Sequence, residues 1–406
     1  MSDHKLPQWP TTQPSSKGPI YLGILHVARK RIAWMIICII VVGSMFRAHE
    51  ALPHAFRHNS TADIYNGTLG FERLFAIGFE GRTDKRDARK LASALTGFAI
   101  EWLPGVSSAD IPEKAVPPTW DTEEQSSGSL GCWRAHMDVV AKVVAENIQT
   151  ALILEDDADW DVNIKEQLVE FAKGSKALQG HNSPLSPISP YGDDWDVLWV
   201  GHCRAGSAWE DEQDMWVIDD DLTVPTTNHR HANWRNDWLP EPVQRNGTRV
   251  VLKTHGGMCM YGYAISQRGA RKILAALSVQ SQNMPVDVGM SALCRERSVK
   301  PFKCYAPYPP LFASHRPAGP SSRDSDIRNK DNKWHDAFSF DIVYSTAMNI
   351  LRLVEGKQYV DAQWPDAEFT RIPYGLEARD LWQPGYLQRV DNRNPVNNEA
   401  KPSITT

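Results

Sequence analysis

Cysteine is scarce in this 406-residue chain, which has six: Cys38, Cys132, Cys203, Cys259, Cys294 and Cys304. No two stand as C-x-x-C and none shows a Cys/His ligand spacing, which argues against a zinc site. In an oxidising compartment one or two pairs among the last five can form, but spacing alone leaves the connectivity open. Basic clusters are missing too. Lys and Arg number 44 against 49 acidic residues, a net charge of −5, and they are scattered. That distribution excludes nucleic acid as the organising partner. A full-length hydrophobic run is also absent: the uncharged stretch from Ile32 to Phe46 holds about 15 residues, short of the ~20 that cross a typical bilayer core.

What is present is the apolar fraction of a globular protein, 42 %, and one acidic strand end. Ala151-Leu152-Ile153-Leu154 is too short for a helix and reads as a strand buried on both faces of a parallel sheet. It runs into Glu155-Asp156-Asp157-Ala158-Asp159. In open α/β sheets ligands collect beyond the carboxyl ends of the strands. Crowded carboxylates need a cation or a proton between them, and hard divalent ions prefer oxygen ligands. The alternative is a solvated turn whose Asp residues cap the next helix.

Residues 1–19 have the composition of a disordered tail, and the cytoplasmic segment is read to run on through the apolar Ile20–Leu25 to Arg29-Lys30-Arg31. Residues 32–47 read as an uncleaved signal anchor with those charges on the cytoplasmic side, against a cleaved signal peptide or a buried helix. Everything beyond should then be lumenal, in keeping with N-glycosylation sequons at Asn59, Asn66 and Asn246. Residues 48–70 form a short stem, 71–355 the globular domain, and 356–406 an extension whose tail is expected to be disordered beyond about Gln388. A first strand at 74–79 leads through 80–86 into a helix ending near Leu95. The basic groups of that loop, Arg82, Lys85 and Arg86, are placed to pair with phosphates. A second short strand covers 100–103.

Leu130, Trp133, Met137, Val140, Val144 and Ile148 recur at helical spacing, predicting an amphipathic helix from about Gly131 to Glu146. Arg134, His136 and Asp138 lie on its other face near the end where the helix dipole favours anions. A helix follows Asp161 to about Leu178, and 196–201 is a further buried strand. Residues 204–246 show no clear period and read as an insertion over one end of the sheet. The stretch 254–266 reads as one strand near a ligand, followed by a helix over 267–277. Pro285 opens a helix with Asp287 in its first turn. Residues 305–312 are extended and close on Ser314-His315-Arg316, and one more helix lies within 338–354.

Four segments, in this order, resemble glycosyltransferase family 25, the lipopolysaccharide and collagen sugar transferases. Gly128-Ser129-Leu130-Gly131-Cys132-Trp133-Arg134-Ala135-His136 is similar to the family's Gly-Cys-x-x-Ser-His helix start, and 151–157 to its Leu-Glu-Asp-Asp strand end. Asp194-Trp195-Asp196-Val197-Leu198-Trp199-Val200-Gly201 is similar to its Asp-Trp-Asp-x-x-x-x-Gly segment. Residues 262–270 with Pro285-Val286-Asp287 resemble the region of its late acidic residue. The resemblance spans about 74–327. One departure is Ile77-Gly78-Phe79, where the family runs Ile-Asn-Leu.

The resemblance implies an α/β, GT-A type fold: a Rossmann-like mixed sheet flanked by helices, here preceded by a single membrane anchor. It implies a nucleotide-sugar donor, of UDP type, a divalent ion (Mn2+ or Mg2+), and transfer of a hexose, galactose or glucose, to a glycan or glycoprotein hydroxyl. Glu155, Asp157 and His315 are then the candidate metal ligands. Arg82, Asp84, Arg86, Arg134, Glu155 and Asp156 are the candidate donor contacts. Asp287 is the candidate base of an inverting displacement, and His136 a second candidate catalytic group. The signal anchor read at 32–47, with the rest of the chain lumenal, makes the expected protein a single-pass type II protein of the Golgi or endoplasmic reticulum membrane. Two other classes compete: a sugar-binding or scaffold protein without catalysis, and a metal-dependent phosphohydrolase using the same acidic strand end.

Overall fold

The computed structural model describes residues 61–180, 188–207, 212–230, 241–280, 283–295, 301–327 and 332–391, together with Met35. The chain divides into units 1–58 and 59–406, and the sheet, its helices and the cavity all belong to the second. The expected tail and signal anchor, Met35 apart, and the sequon at Asn59 lie outside the described residues. Among the described residues no helix is long and apolar enough to cross a membrane.

Strand β3 (Thr150–Glu155) shows why the sheet is two-faced. Ala151, Leu152, Ile153 and Leu154 are each at most 1 % exposed. Because successive side chains point to opposite faces, Ala151 and Ile153 enter one core while Leu152 and Leu154 enter another. The same alternation sorts β1 (Arg73–Gly78), with Phe75 and Ile77 on the first face and Leu74 and Ala76 on the second. It also sorts β5 (Val197–Gly201), with Val197 and Trp199 against Leu198 and Val200.

Helices cover both faces. On the second lie α1 (Thr83–Leu95) and α3 (Ile164–Leu178), which bury Ala92, Leu168, Phe171 and Ala172. On the first lies α2 (Ser127–Ala145), burying Leu130, Trp133, Met137, Val140 and Val143. It is joined there by α4 (Gln267–Leu274) and α5 (Val286–Arg295). Helix α2 starts four residues earlier than the periodicity predicts, because the Ser126 side chain caps it by accepting from Ser129 N–H at 3.2 Å. Gly128 and Gly131 weaken the helical signal, but they are needed for close approach. A Cβ would stand 2.4 Å from the Ile327 carbonyl oxygen at Gly128 and 2.3 Å from that of Val106 at Gly131.

The sheet is mixed and 13-stranded. Strand β2 (Glu101–Pro104) and β3 flank β1 in parallel. The segment read as one strand over 254–266 is two: β8 (Arg249–Met258) and β9 (Gly262–Ser266). Cys259, with φ of 62°, turns the chain between them. Strand β9 runs antiparallel between β3 and β5. Strand β8 runs antiparallel to β10 (Cys304–Tyr308), which is parallel to β5.

Two further readings are corrected. The supposed insertion contains β6 (Arg204–Ser207) and β7 (Glu212–Ile218), and β7 is a full member of the sheet, antiparallel to β8. Its Gln213, Met215 and Val217 are buried in alternation with exposed Glu212 and Asp214. Its other neighbour is Tyr386–Asp391, so three residues of the tail expected to be disordered are paired as the edge strand. Trp209, Trp234 and Trp238 lie outside the described residues. The helix within 338–354 begins only at Thr346, after the short strand Phe338–Ser339.

After β3 the chain turns through Asp156 and Asp157 into β4 (Ala158–Trp160), a strand too short and too acidic to show in the sequence pattern. It pairs antiparallel with β11 (Phe312–Arg316), and this pairing brings Ser314 and Arg316 beside Asp157.

Candidate active site

A cavity of about 610 Å³ opens beyond the carboxyl ends of β1 and β3. Its floor is Gly78 and Glu155–Asp157; the first turns of α2 with Cys132 and His136 form one wall; Met258–Tyr261 with Pro285–Val288 form another; and Lys85, Arg316 and 325–327 close the rim. Five of the sequence candidates, His136, Glu155, Asp156, Asp157 and Asp287, converge here.

The acidic run splits into distinct roles. Glu155 ends β3, and its carboxylate lies 3.7 Å from His136 Nε2. Asp156 accepts from Lys85 Nζ at 2.8 Å. Burial pushes the Asp156 carboxyl up to about 6 and Asp157 adds to the rise, against the opposing pull of Lys85. Asp157 accepts from Arg316 Nη1 at 2.7 Å and from Ser314 Oγ at 2.9 Å. Burial alone would raise its carboxyl, but Arg316 and Lys85 outweigh burial and hold it below the usual range. Its Oδ1 is buried without a hydrogen-bond partner. Asp159 is fully buried and structural: it accepts from Ser339 Oγ, Ser345 Oγ and the Ala347 N–H.

Much of the charge that seemed to require a metal is therefore met by side chains. Lys85 bridges Asp156 and Asp326, at 2.8 and 3.0 Å. Sequence reasoning gave Arg316 and Asp326 no role in the site, and read Lys85 only as one of the loop's basic groups, not as the partner of Asp156. A partial signal existed for Lys85, since it shares an α1 face with buried Arg89, whose guanidinium donates to the Ala158 carbonyl.

Asp287 sits in the first turn of α5, as expected. Its Oδ2 accepts from the Cys259 N–H at 2.9 Å and its Oδ1 from the Val288 N–H at 2.8 Å. Cys259 is bonded to Cys203, and a second disulfide joins Cys294 of α5 to Cys304 of β10. His136 is 2 % exposed, with Nδ1 2.9 Å from Tyr263 Oη.

The other candidates stand apart from the cavity lining. Arg82 pairs with Asp84 and with Asp326 on the rim, and donates to the Arg323 carbonyl at 3.0 Å. The Arg82 hydrogen bond holds the Asp84 carboxyl down to about 2. Arg86 lies over the Trp102 ring. Arg134 pairs with Asp138 one turn along α2 and lies over the Trp133 ring. His315 faces Ser339 Oγ at 3.0 Å, and burial pushes its imidazole down to about 4. The structure does not gather Glu155, Asp157 and His315 into one ligand set. Among the described residues the group whose ligand atoms converge is Cys132, His136 and Glu155, all within 4.8 Å of one another. The sequence reading that found no Cys/His ligand spacing is corrected here, because positions 132 and 136 are one helical turn apart.

Comparison with known proteins points in one direction. Residues 85–183 match the family described as Glycosyltransferase family 25 (LPS biosynthesis protein). Procollagen galactosyltransferase 1 of Danio rerio is 23% identical over 266 residues, covering 60% of this chain and 35% of that protein. Procollagen galactosyltransferase 2 of Mus musculus is 22% identical over 267 residues, covering 61% and 34%. Inactive glycosyltransferase 25 family member 3 of Homo sapiens is 24% identical over 169 residues, covering 37% and 26%. The chain thus spans about a third of the length of the first two relatives. Among solved structures, mannose-1-phosphate geranyltransferase from Thermus thermophilus aligns at a TM-score of 0.21 and 10% identity, over 58% of this chain and 73% of that one. The family read from the motifs and the family returned by the comparisons are the same: the chain is similar to glycosyltransferase family 25, by residues 85–183 to its family model and over longer spans to the relatives named here.

Proposed function

We propose that this chain is a glycosyltransferase that moves a hexose, galactose or glucose, from a UDP-type nucleotide sugar to a hydroxyl of a glycan or glycoprotein, with inversion. The observation that carries the reading is the cavity beyond β1 and β3, where Glu155, Asp156 and Asp157 lie opposite Asp287 with Lys85 and Arg316 at the rim. This is the position at which a GT-A type sheet would hold its donor. The names of the procollagen galactosyltransferases favour galactose.

In this reading Lys85 and the N-terminal turn of α2 face the donor phosphates, where positive charge and unpaired backbone N–H groups favour anions. The acceptor oxygen bonds to the anomeric carbon as the bond from that carbon to the phosphate oxygen breaks. Asp287 takes the hydroxyl proton, and the electron pair leaves with the diphosphate. Asp287 is held in place for this by the Cys259 N–H.

The residues fit a divalent ion, Mn2+ or Mg2+, at Glu155 and Asp157. The nearest ring nitrogen to the Glu155 carboxylate is His136 Nε2, at 3.7 Å, beyond hydrogen-bond distance, and Asp157 Oδ1 lacks a hydrogen-bond partner. Such an ion would offset charge developing on the leaving diphosphate. A lumenal location in the Golgi or endoplasmic reticulum is supported by the two disulfides, which belong to oxidising compartments.

The test is an array of nucleotide sugars offered to the full chain with manganese and a collagen-type or glycan acceptor, scored for transfer and for donor hydrolysis. Turnover of a UDP-hexose supports the reading. Binding of donors without any turnover would instead favour the non-catalytic reading, which the inactive human relative keeps in view.

A further inference from the structure

Cys132 and His136 stand one turn apart on the face of α2 that meets the end of β3, where Glu155 completes a three-residue group. All three line the cavity. Their ligand atoms lie within 4.8 Å of one another. In a tetrahedral site with bonds of about 2.0–2.3 Å, ligand atoms sit about 3.3–3.8 Å apart, so closure by roughly 1 Å assembles one.

The imidazole is already oriented for this role. Tyr263 Oη holds Nδ1 at 2.9 Å, which leaves Nε2 turned to Glu155. Metal-binding histidines are fixed in this way through their other nitrogen. The donor types then select the ion. A thiolate, an imidazole and a carboxylate suit a borderline cation such as Zn2+ and suit Mg2+ poorly. Three protein ligands with one side open to a cavity is also the pattern of a zinc site that retains an exchangeable position.

We propose that Cys132, His136 and Glu155 bind a thiophilic divalent cation of the Zn2+ class, with the open coordination position facing the donor cavity. Because Glu155 also belongs to the hard-cation pair proposed above, the two ions compete for it.

The test needs no nucleotide sugar, so its outcome is independent of the transferase reading. The full-length protein, its disulfides intact, is stripped with chelator and titrated with Co2+ alone. The expected result is one equivalent of Co2+ giving sulfur-to-cobalt charge-transfer absorption, displaced by Zn2+. The band should vanish in Cys132→Ser and persist in Cys38→Ser. Co2+ affinity should fall at least about 10-fold in His136→Gln. Absence of the band in the parent overturns the proposal, as does its survival in Cys132→Ser or its loss in Cys38→Ser. Circular dichroism of each variant confirms folding, and the parent and Cys38→Ser spectra decide the matter if Cys132→Ser does not fold.

Discussion

Gly78 of β1 is packed directly against Asp156 of the acidic turn: a Cβ on Gly78 would stand 2.7 Å from the Asp156 Cβ and 3.0 Å from its Oδ2. Glycine at this position of β1 leaves the room that the neighbouring carboxylate occupies. Gly78→Ala should displace Asp156, lower stability by about 1–3 kcal/mol as overpacking does, and reduce donor affinity. Chemical denaturation and nucleotide titration measure the two effects. Unchanged values in both would show that the turn yields freely.

Lys85 holds Asp156 and Asp326 together with only 12 % of its side chain exposed. Lys85→Met should cost on the order of 2 kcal/mol and weaken nucleotide binding. The cost lies below the ~3–5 kcal/mol of a fully buried pair because both carboxylates retain some access to water. A melting series with and without UDP separates the two consequences.

Asp287→Asn should lower kcat by about 10²–10⁴-fold with little change in the KM for donor, the signature of a lost base. Retained kcat would reduce Asp287 to an anchor for Cys259.

Chelation should abolish transfer, and Mn2+ should restore it. Asp157→Asn should raise the Mn2+ needed for half-maximal rate by about 10-fold or more. Indifference to chelator in the parent would remove the hard-cation role of Glu155 and Asp157.

His202 is fully buried, and burial holds its imidazole down to about 4, although its Nε2 donates to the Pro307 carbonyl at 2.8 Å. As pH falls from about 6.5 towards about 4 the unfolded chain takes up this proton and the native chain does not, so stability falls. The slope is at most ~1.4 kcal/mol per pH unit from this one group. Urea unfolding across this range should show the slope in the parent and a shallower one in His202→Gln.

The parts of the fold legible in the sequence are those whose signal is local. The run 151–154 announces a strand buried on both faces because all four side chains are apolar, and the periodicity from Leu130 onward announces α2. Strand β7 was missed because its buried Gln213, Met215 and Val217 alternate with charged neighbours, and its edge partner is Tyr386–Asp391, far along the chain. The acidic turn was legible as a site, but its counter-charges were not. Lys85 reaches Asp156 across 71 positions and Arg316 reaches Asp157 across 159, and no periodicity encodes such a pairing. Cys132 and His136 are an i, i+4 pair that the sequence reading passed over, because only the close approach of β3 gives them a third partner.

Helix α5 is latched at both ends: Asp287 grips the backbone of Cys259, itself bonded to Cys203, and Cys294 is bonded to Cys304. The location of the carboxylate proposed to accept the proton is thus inherited from two oxidation events elsewhere in the polypeptide. Material produced in a reducing cytosol would carry every residue of the site and still lack the bracing that aims it, so a silent assay on such material would report on the host and not on the proposed activity.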